Sequence, residues 1–178
     1  MTKIKIDDEI ELKMLKEKDR FKLFDTVDEN RLHLKRWLPW VDYTTGPDVY
    51  ITVINQWQTD MDREEGMELG IFYHDELVGM CGYNLIVKTQ GRGQIGYWIA
   101  KNAEGKGIVT RSVKTLVDYG FDTLGLNRIE IICGEKNRKS RAIPEVLGFH
   151  NESIMAEFEF LHDHYHDCIM YRLLRRDR

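Results

Sequence analysis

The sequence predicts a mixed α/β (α+β) fold in which helices cover a central sheet. Three observations carry that expectation. Some segments repeat apolar residues at three- and four-residue spacing, whereas others alternate or run apolar. These segments interleave in the order strand, helices, three strands, helix, strand, helix, two strands. No repeat, low-complexity tract or linker interrupts them, so residues 1–178 read as one domain.

Glu9 to Leu15 alternates charged and apolar residues, as a strand does. Glu17 to Leu38 has recurring apolar positions and reads as one helix and a second short one, stopped by Pro39. Gly46-Pro47-Asp48 opens a helix that runs to Arg63. Met67 to His74 and Leu77 to Val87 read as strands joined at His74-Asp75-Glu76, and Gln94 to Ala100 as a short third strand. Lys106 to Leu124 is the clearest helix, with Val109, Val113, Leu116, Val117, Gly120, Phe121 and Leu124 along one side. Arg128 to Cys133 is isoleucine-rich and reads as a buried strand. A short helix spans about Asn137 to Leu147 and closes at Gly148. His150 to Phe160 and Tyr165 to Leu174 read as two strands around a polar turn.

Composition narrows the function classes. Hydrophobic residues make up 42% and charged residues 31%, an ordinary globular mixture. The net charge of −4 provides no cationic field for nucleic acid. No apolar run approaches the ~20 residues that cross a membrane. Cys81, Cys133 and Cys168 are odd in number and far apart, which suits a reduced protein. The opening Met1 to Asp8 turns acidic too soon for a signal peptide, so a cytoplasmic location is expected.

Tyr97 to Thr110 concentrates the chemistry, because a strand ends there, two glycines follow and a long helix begins. The first N–H groups of such a helix lack internal partners, and with the helix dipole they suit phosphate. Gly105 and Gly107 let a pyrophosphate approach the backbone, and Lys106 adds charge. A dinucleotide fingerprint would need a glycine where Thr110 stands. A Walker loop fails too, because Tyr97 and Trp98 follow the Gly91 to Gly96 spacing. A second block, Asn137 to Phe149, follows a strand and opens the short helix.

Together the two blocks resemble the Gcn5-related N-acetyltransferases. The family's phosphate turn, [QR]-x-x-G-x-[GA], takes the register Glu104-Gly105-Lys106-Gly107-Ile108-Val109. Glu104 and Val109 depart from it, while the central Gly107 is kept. A narrower resemblance, to the Rim-type ribosomal-protein N-acetyltransferases, rests on Leu34 to Trp40, Gly96 to Ile99, Asn137 to Phe149 and Tyr165-His166-Asp167. The resemblance implies a splayed mixed sheet of about seven strands, with acetyl-coenzyme A wedged where two central strands part. It implies cofactor contacts from Trp98, Ile99, the turn from Glu104 to Gly107, the helix start Ile108, Val109 and Thr110, and Asn137 and Ser140. It also suggests a homodimer.

By the same resemblance, Asn137 lies against the pantetheine arm and Ser140 near the thioester sulfur, although either could simply cap the short helix. Glu159 is the general-base candidate. Strand alternation gives Glu157 the same face, and a solvated edge strand is the bland alternative for both. Trp37, Trp40 and Tyr43 either line the amine cleft or pack a helix end on the sheet. His162, His164 and His166, with Asp163 and Asp167, look like metal ligands, but they sit in a polar turn without a distant supporting cluster, so no metal is expected.

The expected chemistry is transfer of acetyl from acetyl-coenzyme A to a primary amine, foremost a ribosomal-protein N-terminus, by direct attack in a ternary complex. Glu159 accepts the proton, a backbone N–H near Ile99 holds the oxyanion, and Ser140 assists the departing thiolate. Two other classes stay open. One is a small-molecule N-acetyltransferase for polyamines, amino acids or drugs, and the other is a non-enzymatic acyl-coenzyme A sensor.

Overall fold

The computed structural model describes residues 3–178. Met1 and Thr2, part of the opening read as no leader, lie outside the described residues. The strands are β1 (Lys3–Lys5), β2 (Ile10–Lys13), β3 (Met67–Tyr73), β4 (Glu76–Val87), β5 (Arg92–Ile99), β6 (Arg128–Gly134), β7 (His150–Leu161) and β8 (His164–Leu174). The helices are α1 (Arg20–Glu29), α2 (Arg31–Leu34), α3 (Val49–Asp62), α4 (Ile108–Asp122) and α5 (Arg138–Val146).

All eight strands form one sheet in the order β1-β2-β3-β4-β5-β6-β8-β7. The sequence reading lacked β1, which raises the count above the seven expected. Among the described residues this strand is three residues long and pairs with β2 at the sheet edge. The expected helix onset at Glu17 is a 3-10 turn ahead of α1. Past α2, Pro39–Tyr43 makes another short 3-10 segment.

Two apolar layers hold the sheet. On one face, Val109, Val113, Leu116, Val117 and Phe121 of α4 pack on Ile95, Ile129, Ile131 and Tyr171. On the other, Leu23, Val27, Leu34 and Ile54 pack on Phe72, Leu77 and Met80, with Trp40, Trp57 and Trp98 alongside. Burying each such aliphatic side chain contributes about 1.5–3 kcal/mol. That is enough to fix which face each strand residue presents.

The sheet opens at its centre. β5 and β6 pair in parallel only from Arg92–Arg128 to Ile95–Ile131. Beyond that point β5 stays with β4 as far as Gly79–Ile99, while β6 stays with β8 as far as Gly134–Cys168. The two strands therefore part between residues 96–99 and 132–134.

Candidate active site

The gap leaves backbone groups without strand partners. The Ala100 N–H donates to the Val78 carbonyl at 2.7 Å, so Ala100 and, by alternation, Trp98 turn their N–H groups toward β4. The N–H groups of Tyr97 and Ile99 turn the other way, into the gap. α5 closes the far side. The Tyr97 hydroxyl donates to the Ser140 carbonyl at 2.8 Å, and Ser140 Oγ lies 3.2 Å from Cys133 Sγ and 3.4 Å from the Tyr97 hydroxyl. Burial pushes both the Tyr97 phenol and the Cys133 thiol above their ordinary ranges, so both stay protonated at neutral pH. Asn137 caps α5 by accepting from the Ser140 N–H at 3.3 Å. The capping role considered for Ser140 thus belongs to Asn137, and the serine hydroxyl is left at the gap.

The glycine turn lies at the end of β5. Gly107 is the N-cap of α4 at φ +69, Gly105 sits at φ +76, and no side chain caps the helix. These are left-handed conformations that glycine adopts without penalty. A Cβ built on either glycine meets nothing within 4 Å, so the backbone stands open to a ligand. The Arg111 N–H already bonds the Gly107 carbonyl, which leaves those of Ile108, Val109 and Thr110 as the outward donors. The Ile108 and Val109 side chains are buried in the core, so these residues offer only backbone, and the departure at Val109 costs nothing there. Glu104 looks wrong for a phosphate turn until its partners are counted. Lys139 pairs with it at 2.7 Å and His33 at 3.5 Å. Lys106 rests over the Tyr73 ring at 5.1 Å. The donor set and the open cradle fit a pyrophosphate.

The opposite face of the sheet carries the other candidates. A cavity of about 150 Å³ is lined by Trp37, Gly134, Glu135, Lys136, Tyr165, His166 and Asp167. The Trp37 ring lies over Gly134, about 3.3 Å from where a Cβ would stand. Trp40 and Trp98 pack with their ring centres 6.2 Å apart. Tyr43 does not join them; it is 81% exposed and forms no wall of this cavity.

Glu159 pairs across the hairpin with His166, a wall residue, and stands one strand behind the cavity. Burial raises its carboxyl above the usual range, against the opposing pull of His166. The unbroken alternation expected for Glu157 and Glu159 does not exist. A bulge between Met155 and Glu159 puts Glu157 at φ +50, exposed, with its N–H bonded to Asp167 Oδ1 at 2.8 Å. The His164 and His166 rings lie 4.0 Å apart, tilted by 45°, and each uses a ring nitrogen on a backbone carbonyl. Among the described residues, no three His, Cys, Asp or Glu side chains converge as metal ligands.

Sequence reasoning missed Tyr97 as the tie across the gap, and it missed Lys139 and His33 as the partners of Glu104. The signal for Tyr97 was its place directly ahead of Trp98 at the strand end. His33 gave no signal, because it lies 71 residues upstream of Glu104.

Comparison with known proteins agrees with this geometry. The acetyltransferase (GNAT) domain family matches residues 9–150. The putative ribosomal N-acetyltransferase YdaF of Bacillus subtilis (strain 168) is 34% identical over 174 residues, which is 97% of this chain and 95% of that protein. The solved structure of RimL, a ribosomal L7/L12 alpha-N-protein acetyltransferase in complex with coenzyme A, superposes with a TM-score of 0.95 at 25% identity, covering 99% of this chain and 100% of that one. The microcin C7 self-immunity acetyltransferase MccE, solved with acetyl-CoA and AMP, gives a TM-score of 0.92 at 28% identity over 96% of this chain and 95% of that one. With the splayed sheet, the open glycine turn and these likenesses in place, the chain belongs to the GNAT acetyltransferase family and is an N-acetyltransferase that uses acetyl-coenzyme A.

Proposed function

We propose that the acceptor is the N-terminal α-amine of a protein, a ribosomal protein foremost, and that it attacks directly in a ternary complex. The observation that carries this reading is the small cavity under Trp37 and His166, on the sheet face opposite α4, at the end of β6 where the sheet opens. The likeness to RimL, a ribosomal L7/L12 alpha-N-protein acetyltransferase, and to YdaF, a putative ribosomal N-acetyltransferase, supports it.

Acetyl-coenzyme A supplies the activated acetyl group. The N–H groups of Ile108, Val109 and Thr110 hold its phosphates, with Lys106 nearby. Asn137 shapes the start of α5 beside the pantetheine path. The amine must lose a proton before it attacks, and an α-amine near pKa 8 does so far more readily than lysine near 10.4. Glu159, its carboxyl raised by burial, takes that proton through the His166 side of the cavity. The gap-facing N–H groups of Tyr97 and Ile99 donate to the carbonyl oxygen as it gains charge. The Ser140 hydroxyl donates to the departing sulfur. Cys133 is no acyl carrier, because burial keeps its thiol protonated.

The test is thiol-release turnover with acetyl-coenzyme A against peptides that mimic ribosomal-protein N-termini, together with polyamines and aminoglycosides. Turnover is expected to be highest with the peptides. Turnover confined to the small amines would replace this reading.

A further inference from the structure

A second cavity, of about 290 Å³, opens on the same face of the sheet as Trp37 and Trp98. Trp57 and Asp60 of α3 wall one side, and Glu68 of β3 and Asn84 of β4 wall the other. Two paired glycines, Gly82 and Gly96, lie beneath the Glu68 and Asn84 side chains. A Cβ on Gly82 would lie 2.9 Å from Glu68 Oε2, and one on Gly96 would lie 2.5 Å from the Asn84 amide. The Glu68 carboxyl therefore crosses over Gly82, and the Asn84 amide stands over Gly96. Gly96, under the Asn84 amide, directly precedes Tyr97, where β5 leaves β6.

The Glu68 carboxyl stands without a partner: among the described residues, none pairs with its charge and none donates it a hydrogen bond. Burial, with the nearby Asp60 carboxylate, pushes the Glu68 carboxyl up to about 8. The Asp60 carboxylate accepts from the Gln56 side-chain amide at 2.6 Å, and among the described residues no cation pairs with it. Two carboxyls beside an indole, with no cation among them, form a poor resting arrangement and a good receptor for a cation. An ammonium entering between them would let both ionise beside the Trp57 indole.

We propose that this cavity is a cation subsite of the acceptor site, taking a second ammonium or guanidinium group carried by the amine substrate. The proposal rests on the acceptor reading above and adds a preference to it. The cationic group belongs either to a basic side chain near a peptide N-terminus or to a free di- or polyamine, and in both cases the chemistry is a protonated nitrogen held by Glu68, Asp60 and Trp57.

The experiment compares the wild type with Glu68→Gln, which keeps the shape of the side chain, and with Asp60→Asn. Steady-state KM is measured for two N-terminal peptides that differ only by lysine or norleucine after the first residue. Binding of 1,5-diaminopentane to the coenzyme A-loaded protein is measured by calorimetry. The wild type is expected to favour the lysine peptide or to bind the diamine. Glu68→Gln should weaken that preference by roughly tenfold or more, while KM for the norleucine peptide and the affinity for coenzyme A stay unchanged. Loss confined to the lysine peptide assigns the subsite to a peptide side chain, and loss confined to the diamine assigns it to free polyamines. Equal effects on both peptides, or no effect on either probe, overturn the proposal. If neither peptide turns over, the N-terminal acceptor reading fails, while the calorimetry still tests the subsite.

Discussion

The two faces of the sheet do opposite kinds of work with opposite kinds of material. On the α4 side, the groups we assign to the cofactor are mostly backbone, the gap-facing N–H groups of β5 and the open helix start after Gly107, with the Ser140 hydroxyl beside them. On the α1–α3 side, the groups we assign to the acceptor are side chains brought from distant segments: Trp37, Glu68, Asn84, Glu159 and His166. A backbone site tolerates side-chain change, as Val109 and Glu104 illustrate. A side-chain site changes its ligand with each substitution. In the proposed arrangement, the cofactor half is the general part of the molecule and the acceptor half sets its selectivity.

The sharpest way to separate the halves is to damage one and read both. Glu159→Gln should lower turnover by ~10²–10⁴-fold with acetyl-coenzyme A affinity unchanged. The loss should be largest near neutral pH, where an α-amine is still mostly protonated, and should shrink as the pH rises past about 8. A parallel Glu157→Gln enzyme should keep its rate, because Glu157 is exposed on the bulge. If Glu157→Gln loses turnover while Glu159→Gln keeps it, the roles are reversed.

The converse substitution is Gly107→Glu. Its carboxylate would meet the phosphates, and repulsion of several kcal/mol predicts a loss of affinity of roughly a hundredfold or more by calorimetry. The left-handed backbone adds a strain of about 1–2 kcal/mol, so the variant should stay folded by circular dichroism with a lowered melting temperature. Unchanged affinity in the folded variant would remove the turn from the cofactor site.

A smaller effect marks the acceptor side. The Glu68 carboxyl is raised to about 8 in the folded protein, against an ordinary value of 4.5. Between those values the native chain holds a proton that the unfolded chain has released, so this group costs stability as the pH rises. The melting temperature of the wild type, relative to Glu68→Gln, should therefore fall from pH 5 to pH 8. A flat difference across that window would mean that Glu68 is ionised and solvated.

The same contrast explains what could be read from the sequence. The α4 periodicity, Gly105 and Gly107 lie within one continuous segment, and the structure keeps them as read. The acceptor walls come from residues more than 100 positions apart, such as Trp37 and His166, and no local pattern joins them. The β7 bulge was hidden because Ala156 to Phe160 still looks like an alternating strand, although two extra residues sit between the pairs Met155–Cys168 and Glu159–His166. Glu68 was passed over because one acid in a strand looks like a solvated face until the glycines beside it show where it folds.

The most direct test of this division is amide hydrogen exchange with and without coenzyme A. Protection is expected at Ile108, Val109 and Thr110 and in the Tyr97–Ile99 stretch, with the Glu157 to His166 hairpin tip unchanged. Protection confined to that hairpin, with none at residues 105–110, would contradict a backbone-built cofactor site.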